Sequence, residues 1–478
     1  MMSSGSERLL ERGLNAYARA FQRWLPSPFA IAILLSLLAA LMAWRSVSAT
    51  VVLEAWTQGL WNPALLRFGF QAMFMLVMGH VLALAPPVLR LLSRALDWVV
   101  KSPRWAPAKV AALSMALGWA NWGLGLIAGA ILVRGVMDRR RNEGSESGMS
   151  RVSLGVLGAA GYTGLLVWHG GLSGSAPLKV AESGHLQALL ALDQPVAWLP
   201  DTIPLSQTVF APWSLAVTAA VAVAVVLLFS WLGHTIQPKS GNALPILQAN
   251  RDDDVGDDAL GNPASEGWSD KLDTRRWLAY LLGGMGLLGA LVWASNSGPL
   301  RTLSFVTPDW INMILLGLAL LGHGQIRGFL KALDHAISDA AGILVQFPLY
   351  FGIMGIVTGT GLGEALAQAL VANISANALP EALFLSSGLL NIFVPSGGGQ
   401  WAVQGPLVIE ACHSLRVPLE RGIMAMAFGD ELTNMLQPFW ALPLLGMTGL
   451  SARDILPYTL MVMLVAGGAM VVVMACWM

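Results

Sequence analysis

The sequence predicts an all-α polytopic membrane protein made of two inverted repeats, each with a re-entrant hairpin and a broken transmembrane helix. Of 478 residues, 55% are hydrophobic and only 12% are charged, which is about half the charged share of an ordinary soluble domain. The apolar residues fall in runs of roughly 20, the length that crosses the hydrocarbon core as one helix. Landmark residues of the first half recur in the second half at a nearly constant offset.

The apolar runs divide the chain into consecutive parts. Residues 1–23 are polar and carry four arginines, so we expect a cytoplasmic N-terminal segment. Residues 24–232 are predicted to form the first repeat, and residues 233–276 a cytoplasmic linker. Residues 277–295 form one extra span, and residues 296–478 the second repeat. In total we expect about 9–10 full spans.

Two apolar segments contain glycine, proline and asparagine at a density that should break a helix. In segment 107–133 these residues surround Asn121, and in segment 382–410 they follow Asn391. Backbone groups that are freed at membrane depth are tolerated only when buried in protein or lining a wet cavity. We therefore expect both segments to be re-entrant hairpins, which enter and leave the membrane on one side.

Two further segments are predicted to be broken transmembrane helices. Segment 152–178 contains the glycine- and serine-rich stretch 170–177, and segment 422–449 contains two acids, two amides and Pro438. Each segment is long enough to cross the membrane, but the polar stretch should unwind its middle.

The distribution of lysine and arginine supports this topology. Cytoplasmic loops collect basic residues. If the N-terminus is cytoplasmic and hairpins do not cross, the inside segments hold 22 basic residues and the outside segments hold 5. A crossing hairpin would exchange the sides of all later loops and weaken this bias.

The repeat is visible in three pairs of landmarks. Gln71 pairs with Gln346 and Asn121 with Asn391, and a glycine pair, Gly161 and Gly429, follows at a similar offset. The extra span inverts the second half, so the two hairpins should enter from opposite faces. Inverted repeats with broken helices place a binding site near the middle of the membrane.

The predicted substrate site lies at the hairpin tips and helix breaks. A tip inside the membrane ends two short helices, whose unpaired N–H groups and positive dipole ends suit a carboxylate. Glycine allows close approach of the backbone, and each asparagine offers a donor and an acceptor. The structural alternative is tight helix packing by small residues. The substrate-binding candidates are Asn121, Trp122, Gly123, Ser173, Ser175, Asn391, Ser396, Gly397, Gly398, Gly399, Gln400, Gln404, Asn434 and Gln437.

The candidates for ion coupling are Asp430, Glu431 and Thr433. The two acids are adjacent inside a predicted span, where charged groups are expensive and usually functional. The alternative is a later start of the span, which would leave both acids at the outer interface. Na⁺ could bind near Asn121 and Asn391, and H⁺ could serve instead. No firm metal site and no other cofactor are predicted.

Several motifs resemble the bacterial short-chain fatty acid transporter family, which belongs to the wider ion-transporter superfamily. The matching stretches are residues 121–125, 170–175, 344–348, 394–401 with 404–406, and 437–443. The resemblance covers almost the whole chain apart from the linker. It implies uptake of short-chain fatty acids such as acetoacetate or butyrate. It also implies a scaffold domain with a moving transport domain, and a homodimer.

We therefore expect a symporter in the bacterial inner membrane that imports small monocarboxylates with H⁺ or Na⁺. Its partners would be the carboxylate substrate and the lipid bilayer. The 28 basic residues balance the 28 acidic ones, so charge predicts no nucleic-acid partner. A dicarboxylate or other organic-anion carrier is the main alternative, and an ion channel is another. His169 precedes two glycines as in some hydrolase loops, but no nucleophile–base pair accompanies it, so no enzyme is expected.

Overall fold

The computed structural model is all-α, as the sequence predicts. It describes residues 13, 16, 17, 28–143, 152–190, 197–236, 272–296, 305, 307–363, 365, 369 and 374–477, and these contain no β-strand. The N-terminal segment 1–23 and the linker 233–276 therefore lie largely outside the described residues.

The helices are numbered here in chain order. The first part contains α1 (Pro28–Ala43), α2 (Ala49–Leu60), α3 (Pro63–Ala83), α4 (Pro86–Val100), α5 (Ala106–Ala120), α6 (Trp122–Glu143), α7 (Leu154–Tyr162), α8 (Ser175–Val180), α9 (His185–Leu189) and α10 (Pro212–Thr235). The second part contains α11 (Arg276–Asn296), α12 (Pro308–His323), α13 (Ile326–Gly359), α14 (Leu379–Asn391), α15 (Gly397–Leu415), α16 (Leu419–Thr433), α17 (Pro438–Thr448) and α18 (Ala452–Trp477).

Four helices in the described part are long and apolar enough to cross a membrane. They are Leu65–Ala83 within α3, and α10, α11 and α18 in full. Only 22% of the apolar window of α11 is buried inside the protein. Such an apolar surface is costly in water and suits contact with lipid. The count of about 9–10 full spans stays a prediction.

The structure adds three helices where we expected only connections between spans. Segment 45–61 contains α2, segment 85–109 contains α4, and segment 178–210 contains α9. All three are shorter than a membrane span, so a search for long apolar runs misses them. Helix α2 nevertheless packs closely, because a Cβ on its Gly59 would overlap the backbone of Gly355 in α13.

Each predicted hairpin is a pair of helices that pack on each other. Helices α5 and α6 meet at Asn121, whose backbone is extended. Beside that turn, a Cβ on Gly125 would overlap the backbone of Gly118. Helices α14 and α15 are joined by residues 392–396, and Gln400 Nε2 donates to the carbonyl of Ser387 at 2.9 Å. The re-entrant position of both pairs in a membrane stays a prediction.

The order of elements recurs around the centre of the molecule. A helix pair, an interrupted helix and a long helix follow each other twice, as α5 to α10 and as α14 to α18. In the first interrupted helix, α7 continues as the 3₁₀ turn Thr163–Leu166 and then loses helical structure until α8. In the second, the 3₁₀ turn Asn434–Leu436 and the extended Gln437 separate α16 from α17. The inverted orientation of the two halves stays a prediction.

Candidate functional site

The interruptions of the two helices lie side by side. Tyr162 Oη lies 2.8 Å from the carbonyl oxygen of Asn434 and 2.9 Å from that of Gln437, so its proton can be donated to either. Pro438 has no N–H to donate, so the helical hydrogen-bond ladder is interrupted here. The carbonyl of Asn434 accepts the backbone N–H of Gln437 at 3.0 Å, and Tyr162 adds a side-chain donor for the buried carbonyls at the break.

A histidine and an aspartate connect the two interruptions. His169 Nδ1 lies 2.6 Å from Asp430 Oδ2, and both side chains are at most 1% exposed. The backbone N–H of Ala176 donates to His169 Nε2 at 3.0 Å. Because that N–H can only donate, Nε2 must carry the lone pair. The neutral imidazole then holds its proton on Nδ1 and donates it to the Asp430 carboxylate.

Glu431, which also belongs to α16, forms a second connection between the two interrupted helices. Its Oε2 accepts the backbone N–H of His169 at 2.8 Å and that of Gly170 at 2.9 Å. These N–H groups belong to the unwound part of the first interrupted helix, so the carboxylate caps them. Asp430 and Glu431 are each 1% exposed, so protein encloses both carboxylates, and their depth in the membrane stays a prediction.

The first hairpin tip is bonded to the first interruption. Asn121 Oδ1 accepts the N–H of Leu124 at 3.0 Å and so caps α6. The N–H of Trp122 donates to Ser173 Oγ at 3.1 Å, and Leu172 donates to the carbonyl of Trp119 at 2.8 Å. Asn121 thus stabilises the turn of the hairpin itself. Trp122 and Ser173 form the contact between the hairpin and the first interrupted helix.

The second hairpin tip is bonded to the second interruption. Asn391 Nδ2 lies 2.6 Å from the carbonyl oxygen of Asp430, and 3.0 Å from both Thr433 Oγ1 and Asn434 Oδ1. Gln437 Nε2 donates to the carbonyl of Asn391 at 2.6 Å. Asn391 is completely buried, so it fixes the break of the neighbouring helix.

Two of the predicted polar residues lie inside the second hairpin. Gln400 Nε2 also lies 2.6 Å from Ser387 Oγ, and Gln404 Nε2 donates to Ser386 Oγ at 2.7 Å. Both glutamines are completely buried. These contacts hold α15 against α14. Ser396 Oγ accepts the N–H of Gly399 at 3.2 Å and caps the start of α15.

A cavity of about 560 Å³ lies where the hairpin tips and interruptions meet. Pockets of this size bind small molecules. Six of the predicted substrate-binding residues line it, and these are Trp122, Ser173, Ser175, Gly397, Gly398 and Asn434. The lining does not include the other predicted residues, which are Asn121, Gly123, Asn391, Ser396, Gly399, Gln400, Gln404 and Gln437, nor the coupling candidates Asp430, Glu431 and Thr433. For all of the candidates, whether they line the cavity or not, a part in binding or coupling stays a prediction.

The cavity combines apolar walls with the start of a helix. Met75, Leu165, Leu178 and Ile311 line it, together with three tryptophans. Two of these, Trp122 and Trp440, contact each other edge to face, with ring centroids 5.4 Å apart. Gly397 and Gly398 begin α15, so their N–H groups have no partner within the helix and carry the positive end of its dipole. This arrangement suits a carboxylate attached to a short apolar chain.

Sequence reasoning missed the charged residues of the cavity. Four charged residues also line it, and these are Arg67, Lys179, Glu182 and Asp309. Arg67 lies near the start of α3, and a basic side chain at the end of a span is ordinarily expected to pack at the membrane interface. A basic residue so close to the start of an apolar run was the available signal, but its acidic partner lies 242 residues away in sequence.

Two solved transporter structures share a distant likeness with the chain. MtrF from Neisseria gonorrhoeae, described as illuminating a class of antimetabolite efflux pumps, is 14% identical, with 96% of this chain and 97% of that chain covered and a TM-score of 0.47. The YdaH transporter from Alcanivorax borkumensis is 16% identical, with 95% and 98% covered and a TM-score of 0.45. Likenesses at this level do not indicate a substrate.

Comparison of sequences is decisive for the family. The model of the short chain fatty acid transporter family matches residues 9–477. A protein of Escherichia coli (strain K12), provisionally named a short-chain fatty acid transporter, is 33% identical over 457 residues, or 94% of this chain and 96% of its own. A protein of Haemophilus influenzae (strain ATCC 51907 / DSM 11121 / KW20 / Rd) with the same provisional name is 32% identical over 441 residues, or 91% and 93%. The chain therefore belongs to the short-chain fatty acid transporter family and is a multi-pass membrane protein.

Proposed function

We propose that the protein is a symporter that imports short-chain fatty acids, or similar small monocarboxylates, together with H⁺ or Na⁺. One observation carries this proposal. An amphipathic cavity, into which the first turn of α15 opens, lies next to a buried acidic pair that joins the two interrupted helices. Substrate and coupling ion would therefore act on the same junction.

In this proposal the substrate carboxylate binds at the start of α15. The N–H groups of Gly397 and Gly398 would donate to it, with Ser175 and Asn434 as further polar partners. The tryptophan walls would contact the alkyl chain, because burial of apolar surface favours binding by about 25 cal/mol per Å². Asn391 would act indirectly, by holding Asn434 in place.

The coupling ion would bind among buried oxygens near the second hairpin tip. Asp430 Oδ1, Asn391 Oδ1 and Gln437 Oε1 are buried and have no hydrogen-bond partner among the described residues. Such oxygens are costly to leave unsatisfied, and a proton on the carboxylate or a Na⁺ ion would relieve that cost. Coupling then requires that the cation stabilise the substrate-bound site more than the empty one.

The proposed setting follows from the same topology. The protein would reside in the bacterial inner membrane with a cytoplasmic N-terminus, and the family resemblance implies a homodimer. The hairpins would enter from opposite faces and meet at the cavity. A carrier of this kind makes no covalent change in its substrate, so no enzymatic activity is proposed.

One observation favours a dicarboxylate as the second candidate substrate. The cavity holds two basic side chains, Arg67 and Lys179, and two carboxylates would need two positive partners. The two differ in how they are paired. Lys179 Nζ lies within 3.0 Å of both carboxylate oxygens of Glu182, whereas Arg67 contacts Asp309 at 2.8 Å through Nη2 alone. The cavity therefore has one basic group available to a substrate carboxylate rather than two, which favours a monocarboxylate.

Transport assays with purified protein in proteoliposomes test the proposal. We expect labelled butyrate to accumulate when either an inward Na⁺ gradient or an inward H⁺ gradient is imposed, and unlabelled butyrate inside should drive counterflow without any gradient. Labelled succinate is the matched comparison. If the protein transports succinate in preference to butyrate, the substrate is a dicarboxylate and the proposed substrate is wrong. If no counterflow is observed, the protein is not a carrier.

A further inference from the structure

The cavity contains an arginine with an exposed guanidinium group. Arg67 lies near the start of α3, and its side chain is 72% exposed within the chain and lines the cavity. Ionisable side chains within membrane-spanning segments usually face the protein interior or a water-filled cavity, where they belong to a substrate or ion pathway. Arginine also presents five N–H donors in a rigid fork that fits a carboxylate.

Arg67 already forms an ion pair with a carboxylate of the same chain. Arg67 Nη2 donates to Asp309 Oδ2 at 2.8 Å, and Gln71 Nε2 donates to Asp309 Oδ1 at 2.6 Å. The two donors come from α3 and the acid from the first turn of α12, where the helix dipole also favours a negative charge. The cavity thus shows a built carboxylate site with a guanidinium and an amide as donors.

The ion pair leaves most of the guanidinium group available. Within the described part of the chain, Arg67 makes this contact through Nη2 alone. Asp309 is itself 36% exposed, so its carboxylate can exchange Arg67 for water. The other basic residue differs, because Lys179 Nζ lies within 3.0 Å of both carboxylate oxygens of Glu182, only three residues along the same chain segment.

We propose that Arg67 is the charged partner of the substrate carboxylate and that Asp309 competes with the substrate for it. This inference rests on the proposed function and identifies the residue that recognises the charge of its substrate. The N–H groups of Gly397 and Gly398 would orient the carboxylate, and Arg67 would supply the opposite charge. Competition by Asp309 weakens binding, so the substrate can leave when the site opens on the other side.

The two members of the pair should have opposite effects on affinity. A hydrogen bond to a charged group contributes about 1.5–3 kcal/mol, which corresponds to roughly 10- to 150-fold in Kd. Arg67→Gln should therefore weaken butyrate binding by about tenfold or more. Asp309→Asn removes the competing charge but keeps the shape, so it should tighten binding several-fold. Isothermal titration of butyrate into the full-length protein in lipid nanodiscs measures both changes.

A purely structural ion pair predicts a different result. In that case both substitutions remove the same interaction, and they should weaken binding alike or leave it unchanged. Either result overturns the assignment of Arg67. If Arg67→Gln does not yield a folded protein, the Asp309→Asn variant alone tests the assignment of Arg67. Tighter binding of butyrate by that variant requires the intact arginine.

Three controls separate charge recognition from other effects. Arg94→Gln makes the same change on an exposed position of α4 and should leave Kd unchanged. Arg67→Lys keeps the charge without the fork and should be intermediate. Butyramide carries no charge, so wild type and Arg67→Gln should bind it equally. If the wild-type protein binds neither butyrate nor other short-chain carboxylates, the proposed function fails. If the wild-type protein binds butyrate and Asp309→Asn binds it with the same affinity, only this inference is overturned.

Discussion

Replacing Asp430 by asparagine is expected to abolish gradient-driven accumulation of butyrate while leaving counterflow intact. The amide keeps an oxygen that can accept the proton of His169 Nδ1, so the 2.6 Å contact between the two interrupted helices can persist. It removes the negative charge that would hold Na⁺ or take up H⁺. Coupling energies between two ligands are typically 1–3 kcal/mol, so we expect the accumulation ratio to fall by roughly 5- to 150-fold.

The measurement compares two assays on the same proteoliposomes. Uptake under an imposed Na⁺ or H⁺ gradient reports coupling, and exchange of labelled for unlabelled butyrate reports binding and movement of the site. Asp138→Asn is the matched control, since Asp138 is a half-exposed acid paired with Arg134 on α6. Wild-type accumulation in Asp430→Asn would remove this residue from the coupling mechanism. Loss of exchange as well would instead show a structural defect.

Replacing Gly398 by valine should block transport without unfolding the protein. A Cβ at Gly398 would meet only Ser175, at 3.8 Å from its Oγ, so the backbone accepts a side chain there. The added methyl groups would occupy the cavity beside the N–H groups at the start of α15. We expect uptake of butyrate to fall by about 100-fold or more, because the displaced carboxylate loses charge-assisted hydrogen bonds of about 1.5–3 kcal/mol each.

The neighbouring glycine provides the contrast. A Cβ at Gly397 would lie 2.7 Å from the ring of Trp168 and 2.8 Å from that of His169. Gly397→Ala should therefore lower the thermal unfolding midpoint, since overpacking a core costs typically 1–3 kcal/mol. Gly468→Ala in α18, where a Cβ meets nothing within 4 Å, controls for substitution itself. Normal uptake by Gly398→Val would place the substrate elsewhere.

The fold class could be predicted from the sequence because its causes are local. A run of apolar residues is visible in one stretch of chain, and so is a proline or glycine that interrupts it. The second break, at 434–437, lies within the polar stretch that indicated it. The first break, at 163–174, overlaps the predicted stretch 170–177 only at residues 170–174, because α-helical structure is lost earlier and resumes at Ser175. Helices α2, α4 and α9 could not be found in the same way. They are too short to read as spans, and packing against other helices decides whether such segments form.

The contacts within the site depend on distant parts of the chain, so they could only partly be predicted. Asp430 and Glu431 attracted attention as acids inside an apolar segment, but nothing in the sequence joins them to His169, 261 residues away. The pairing of Arg67 with Asp309 could not be predicted either, because these residues are also far apart in the sequence. The asparagines and glutamines were recognised as polar groups in an apolar setting, yet their partners decide their roles. The amide groups of Asn391, Gln400 and Gln404 all donate to protein groups. Asn434 lines the cavity, although its own amide oxygen accepts from Asn391.

The position of a bound carboxylate tests the proposed site most directly. Crystals of the protein grown with 3-(methylseleno)propionate would locate the selenium by its anomalous scattering and the carboxylate by its density. We expect the carboxylate to lie between the start of α15 and Arg67, with the selenium against Trp122 and Trp440. A selenopropionate bound outside this cavity, with the cavity itself closed by side chains, would contradict the proposal.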